Sequence, residues 1–423
     1  MALLRAQGGM PESAVEEILR WASPAIHTVR LAKADNLRSA RLNTNLRHRL
    51  RNLGPHLSFA IKTPTPDRDK VTRQIGNCGR AVPTLSEHHH PHNKRWTRRP
   101  EGSNWGDFGP DDELGRMGTI TPEMRLAAIA EVKEGKAFAL SLPLDLPGGE
   151  PPDAGRFGPK LWPTKLFGHE VYNFALTGKD ICCDDGVTMC LQYSTQWDSL
   201  AHWGRMFDVD GSGVEVPVYY NGFRPGIDVL APAQGGPAAN KLGIEKMATT
   251  CVQGRGVLVD LAREFGAGRT LVGMDKMEQV LKKQNVQVKK GDFLLIHTSY
   301  GDYLMGANKK PDPHVMETTG AALDGADEAL LNWIEHSGVV ALVADNPAVE
   351  AVDPSLGNVG HNGLLPLHDR CLFKLGIHLG ELFWLGDLAR YLGQVNRSAF
   401  LFTGPPLRLP GAVGSPATAV ALV

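Results

Sequence analysis

Two amides, a hydroxyl and a carboxylate alternate along one stretch of the chain, at Gln192, Ser194, Gln196 and Asp198 of Cys190-Leu-Gln-Tyr-Ser-Thr-Gln-Trp-Asp-Ser-Leu-Ala-His-Trp-Gly204. If residues 186–198 are extended, these four side chains share a face, because successive residues of a strand point to opposite sides. His202 follows four residues after Asp198. Left unpaired in a core, each of these groups would cost roughly a few kcal/mol. The face therefore lines a site or lies wet at a sheet edge. An imidazole with an ordinary pKa of about 6.5 can shuttle protons at neutral pH, and a carboxylate can hold a cation. Neutral amide oxygens bind transition metals far less well than imidazole does, so a metal held here needs ligands from elsewhere.

The elements that must position this stretch read as mixed α/β. Thr121 is a candidate N-cap, Pro122 fits the first helical position, and Glu123 suits the positive helix end. Leu126, Ile129, Ala130 and Val132 supply the apolar face of that helix, and Gly135 stops it. Residues 137–142 read as a strand. Residues 143–163, with six prolines, are too turn-rich for a core element and suit a rim or lid over a site. Short apolar runs at 256–260 and 292–297 have the pattern of buried strands, with an amphipathic helix over 274–283 between them. A helix over 321–336 and a buried strand over 339–344 follow. No repeat or coiled-coil period is present.

The 423 residues allow two to three average domains, or one large domain with an appendage. A hydrophobic fraction of 42% is enough for a sizeable core. Six cysteines with no Cys-x-x-Cys pair indicate neither a zinc ribbon nor a disulfide framework, so a reducing, cytoplasmic setting is expected. No apolar run reaches the eighteen or so residues a bilayer requires, and the start lacks the hydrophobic core of a secretory signal, so no membrane is expected. The net charge of −1 hides an asymmetry: residues 1–100 carry 18 Lys/Arg against 7 Asp/Glu, and the remainder 27 against 39. The first hundred residues, with Arg47-His-Arg-Leu-Arg51 and the cluster His88, His89, His90 and His92, read as a basic, poorly ordered arm. Such an arm suits a nucleic-acid tether, an organelle-targeting segment or an extension without function, and the nucleic-acid role is the weaker reading. Its histidines lack recognised metal-ligand spacing. Residues 101–423 are expected to form one domain that carries the chemistry-bearing stretch.

The central stretch resembles the cyclase family that includes bacterial kynurenine formamidase, whose signature reads His-x-Gly-Thr-His-x-Asp-x-x-x-His. On this chain the signature places Gln192 and Gln196 at that family's metal-binding histidines, Asp198 at its shared metal carboxylate, and His202 at its catalytic histidine. The sequence is similar to a branch reading Thr-Gln-Trp-Asp-x-Leu-x-His, here Thr195 to His202. The resemblance begins at Trp105-Gly-Asp-Phe-Gly-Pro-Asp-Asp-Glu-Leu-Gly115 and runs to the end. It includes a Tyr-Asn-Gly segment that, with Trp197, places Tyr220 and Asn221 beside the substrate. It also implies that His368 and Glu381 complete the metal site, with His361 and His378 as spares.

The resemblance implies a kynurenine formamidase-like swivelling β/β/α domain, a homodimer, and a divalent metal, Zn or Mn. It further implies hydrolysis of a formamide, cyclic amide or lactone of a small aromatic acid, as in the arylformamidase step of tryptophan catabolism. Metal-activated water would attack, and His202 would pass the proton to the leaving group. Three other readings stay open. The glutamines could serve as oxyanion donors, the chain could be a metal-free cyclase or lyase of the same fold, or it could be a non-catalytic small-molecule-binding protein.

Overall fold

The computed structural model describes residues 94–148, 155–176, 178–352 and 364–423. The first 93 residues of the basic arm, with its histidine cluster, lie outside the described residues, as does His361. The chain divides into two units, one of Met1–Ala81 with Pro163–Asp185 and one of Val82–Trp162 with Gly186–Val423. In the first, the described residues form two short hairpins, Lys165–Leu166 with His169–Glu170 and Phe174–Ala175 with Ile181–Cys182.

The second unit is built on a nine-stranded sheet. Its strands are β1 (Ala137–Ala139), β2 (Gln196–Asp198), β3 (Gln253–Asp260), β4 (Phe293–His297), β5 (Ala341–Ala344), β6 (His378–Glu381), β7 (Ala399–Thr403), β8 (Gly414–Pro416) and β9 (Val420–Leu422). They lie in the order β1-β9-β7-β3-β4-β5-β6-β2-β8. The four central strands, β3 to β6, are parallel, and antiparallel strands extend both edges.

Apolar runs make β3, β4 and β5 because both sheet faces are covered. Val257 and Val259 of β3, Leu294 and Ile296 of β4, and Leu342 of β5 enter one core. Leu258, Leu295 and Val343, one residue out of step, enter the other. Helix α2 (Met274–Lys283) packs Met277 and Val280 into the first core, and α3 (Glu328–Ser337) adds Leu330, Leu331 and Ile334. Helix α4 (Gly386–Gln394) places Leu388 and Leu392 in the second. The result is the mixed α/β layering that the sequence predicts.

Three local expectations are corrected. The predicted strand over 186–198 is interrupted: Tyr193 N–H donates to Cys190 C=O at 3.3 Å, and this turn leaves only Gln196–Asp198 in the large sheet. The predicted helix over 321–336 is a strand, Ala321–Leu323, followed by α3. Asp327 caps α3 by accepting from the N–H groups of Ala329 and Leu330, while the apolar Ala-Ala-Leu run is buried in the parallel pairing with Thr270–Val272.

The third concerns the first helix. Thr121 Oγ1 accepts from Met124 N–H as its cap, but the helix, α1 (Pro122–Ile129), ends before Ala130 and Val132. Leu126 and Ile129 are 66% and 54% exposed while Ala128 is buried. Arg125 sets that rotation by donating to the carbonyls of Ile120 and Thr250.

Candidate active site

Register builds the floor of the site. In the antiparallel pairing of β2 with β6, Gln196 lies opposite Glu381 and Asp198 opposite Leu379, and on the other side Gly414 of β8 lies opposite Asp198. Alternation sends Gln196, Asp198 and Glu381 to the face of the first core, with Leu379. Trp197 points the other way, where its ring meets Phe383 and Phe402 edge-on and its Nε1–H donates to Gly404 C=O at 2.7 Å. The strand is fixed lengthwise by Thr195, whose hydroxyl donates to Leu382 C=O and accepts from Leu142 N–H.

His368 reaches this floor from a single helical turn, Pro366–His368, that opens a wider helical segment, Asp369–Lys374. Glu350 holds that turn from below. Its two carboxylate oxygens accept from Leu367 N–H at 2.9 Å, His368 N–H at 3.0 Å and His368 Nδ1 at 2.8 Å. With Nδ1 so occupied, Nε2 faces Glu381 Oε1 at 3.4 Å. Glu381 Oε2 accepts from Gln196 Nε2 at 2.8 Å. Trp203 lies edge-on to the His368 ring at 5.4 Å.

The electrostatics of this cluster are unbalanced. Asp198 is fully buried, and neither carboxylate oxygen has a hydrogen-bond partner. Burial pushes its pKa up to about 6; the Glu381 charge adds to that rise, and His202, His368 and Arg156 oppose it. His202 Nδ1 lies 3.8 Å from Asp198 Oδ1, longer than a hydrogen bond. Gln196 Oε1 is likewise buried without a partner. Burial alone would depress the His368 imidazole, but its hydrogen bonds to Glu350 and Glu381, with their charges, raise it to about 10.

A buried carboxylate with both oxygens unsatisfied is costly unless something absent from the protein completes it. One ligand atom each from Asp198, His368 and Glu381 lies within 4.8 Å of the others, and all three residues are buried. Two carboxylates and an imidazole whose far nitrogen is anchored by a carboxylate are a donor set that fits a divalent transition metal. The free Gln196 oxygen is a fourth, weaker donor. These residues therefore fit the metal that the sequence reading implies.

The remaining expected residues fall in different places. Gln192 is outside the strand, yet its amide lies against Gly414, where an added Cβ would stand 2.5 Å from Gln192 Nε2. Trp197, expected beside the substrate, is instead fully buried on the opposite sheet face. Tyr220 and Asn221 are engaged in contacts of their own. Tyr220 is buried and donates to Asp112 Oδ2 at 3.0 Å. Asn221, at φ 53°, donates to the carbonyls of Gly109, Pro110 and Asp112 and accepts from Trp96 and Gly106, so it organises a loop.

His378, the spare, is fully buried without a partner for Nδ1, and burial drives its pKa down to about 3. Glu381 bonds neither Arg370 nor Arg390, which pair with Glu335 and Glu328 and with Asp302 and Asp387. Sequence reasoning missed Glu350. Its one signal is position: it follows a buried parallel strand at the carboxyl end, where α/β sheets form their sites.

The family model described as "Putative cyclase" matches residues 108–351. A solved structure described as a novel cyclase is 31% identical, covering 76% of this chain and 97% of that one, with a TM-score of 0.61. Isatin hydrolase A from Labrenzia aggregata is 13% identical, covering 68% and 93% with a TM-score of 0.45. A predicted metal-dependent hydrolase from Bacillus stearothermophilus is 14% identical, covering 68% and 97% with a TM-score of 0.38. No curated protein matches the chain significantly. Among the described residues, no helix is long and apolar enough to cross a membrane. By the extent of the family match and its likeness to the 31% identical structure, the chain belongs to the putative cyclase family.

Proposed function

We propose that this protein is a metal-dependent hydrolase that opens a formamide, cyclic amide or lactone of a small aromatic acid. One observation carries the reading: the buried, unpartnered carboxylate of Asp198 beside His368 and Glu381, with donor atoms within 4.8 Å of one another. Asp198, His368 and Glu381 would hold a Zn or Mn ion, with Gln196 as a weak additional donor. Bound there, the cation would polarise a carbonyl and lower the pKa of a water.

The other steps fall to the protein. Glu350 keeps the His368 ring oriented and its Nδ1 engaged. His202, partly exposed beside Asp198, takes the proton of the attacking water and delivers it to the departing nitrogen or oxygen. Trp203, edge-on to the His368 ring, would give an aromatic substrate an apolar surface. A homodimer belongs to the same proposal, and light scattering tests it.

Elemental analysis of untagged protein, wild type against Asp198→Ala and His368→Ala, tests the site. About one Zn or Mn per chain is expected in the wild type and neither in the variants. A wild type that takes up no metal on incubation with Zn and Mn overturns the mechanism. Turnover in ¹⁸O-water tests the reaction class, because hydrolysis must place solvent oxygen in the product and a lyase or cyclase does not.

A further inference from the structure

Arg156 belongs to the proline-rich segment before the site. It is half-buried, and its one hydrogen bond among the described residues runs from Nη1 to the backbone carbonyl of Gln192, at 2.9 Å. It makes no ion pair with a carboxylate among the described residues. Its position is nonetheless fixed. The next residue, Phe157, exchanges backbone contacts with Cys190, its N–H reaching Cys190 Sγ at 3.4 Å and its C=O accepting from Cys190 N–H at 3.1 Å. Gly158 lies against the Tyr193 ring, where an added Cβ would come within 2.8 Å, and Tyr193 Oη accepts from Gly148 N–H at 3.1 Å.

The segment is thus fastened to both ends of the Cys190–Tyr193 turn, and that turn aims the Gln192 amide at Gly414, opposite Asp198. The guanidinium is held on the backbone of the residue whose amide packs against Gly414, the strand neighbour of Asp198. Asp198, Glu381 and Glu350 make the interior acidic, so an anionic ligand approaching without a compensating cation would be repelled. A guanidinium with one of its five N–H groups engaged keeps a planar fork for a carboxylate.

We propose that Arg156 is the residue that recognises the substrate's carboxylate, and that the substrate is an anionic aromatic compound whose carboxylate stands next to the bond being cleaved, as in an ortho-acylaminobenzoate. The proposal rests on the hydrolase reading for its reaction but not for its binding test. The metal-supplemented wild type should hydrolyse N-formylanthranilate with a kcat/KM about 10- to 100-fold above that for formanilide, the margin expected of a charge-assisted hydrogen bond. In Arg156→Gln that ratio should fall to near one, chiefly through a higher KM for the acid. Arg156→Lys should restore only part of it, since an ammonium is a point charge without the planar fork. A purely structural role would lower both activities together and leave the ratio intact, which would overturn the proposal.

Calorimetric titration with benzoate and with benzamide, in the presence and absence of Mn, reads the same preference without turnover. A benzoate preference that Arg156→Gln removes supports the role even if neither formamide is hydrolysed, in which case the hydrolase reading alone has failed. Equal benzoate affinity in wild type and Arg156→Gln overturns it.

Discussion

The large sheet carries two imidazoles, each held between two carboxylates at the carboxyl end of a parallel strand or beside it. His368 lies between Glu350 and Glu381. His297, at the end of β4, contacts Asp260 at 2.7 Å through Nδ1 and Asp302 at 3.2 Å through Nε2, with Asp345 4.0 Å away. In both, hydrogen bonds to carboxylates overcome burial and raise the imidazole to about 10.

The difference is in what surrounds them. Around His297 every buried carboxylate is answered: Asp260 accepts from Arg263 N–H, Asp302 pairs with Arg390, and Asp345 accepts from Thr298 and Gly301 N–H. Around His368 the two oxygens of Asp198 and the oxygen of Gln196 have nothing. A network closed on itself fastens strand to helix, whereas one left open by a buried charge is built for something that arrives.

Four changes would break or sharpen that contrast. The largest effect is expected from His202→Ala, which should lower kcat by about 10²- to 10⁴-fold, as loss of a general acid–base group does, while metal content by elemental analysis stays at the wild-type level. Next, His297→Gln should cost about 3 kcal/mol in urea unfolding, because it strands buried carboxylates, and should leave the metal in place; loss of metal would erase the distinction between the two clusters.

That stabilisation also has a predictable pH dependence. The His297 pKa is raised on folding, so the imidazolium stabilises the native state fully below its ordinary value of about 6.5, and the benefit disappears as pH climbs through about 10. The stability gap between wild type and His297→Gln should therefore narrow steadily between pH 6 and pH 10, and a constant gap would contradict the charged clamp.

A smaller effect is expected from Glu350→Gln, which keeps the shape of the turn and removes the charge behind His368. Metal affinity measured by competition with a chelator should drop about 10- to 100-fold, as it does when an outer-shell carboxylate is lost. An unchanged affinity would make Glu350 a fold residue like Asp260. The smallest is Gln196→His, which replaces the weak amide donor by imidazole and should tighten metal binding several-fold.

Much of this was legible from residue types. The apolar runs of β3, β4 and β5 and the amphipathic α2 are where local pattern predicts them, because strands buried on both faces and a helix with one wet face leave different periods in the sequence. Errors arose where local pattern and packing compete. The apolar Ala321–Leu323 run fits a helix or a strand equally well in isolation, and only its parallel pairing with Thr270–Val272 decides it. Trp197, Tyr220 and Asn221 stand in the segments that resemble a substrate site, yet their side chains are consumed by core packing and by a loop.

The sequence by itself determined the family and the mixed α/β layering, and it singled out Asp198, Gln196, His202, His368 and Glu381 as candidates. The layering follows from the period of the apolar residues, and the family and the site residues from motifs that resemble those of known relatives. The tertiary structure alone decided which groups meet and which are left over. Residue spacing does not reveal that β2 inserts antiparallel between β6 and β8, that Glu350 comes up beneath His368, or that Asp198 is buried with both oxygens unanswered. A carboxylate's cost or use depends on the partners that distant strands bring within about 3 Å of it, and the order of strands in a sheet is not the order of residues in a chain.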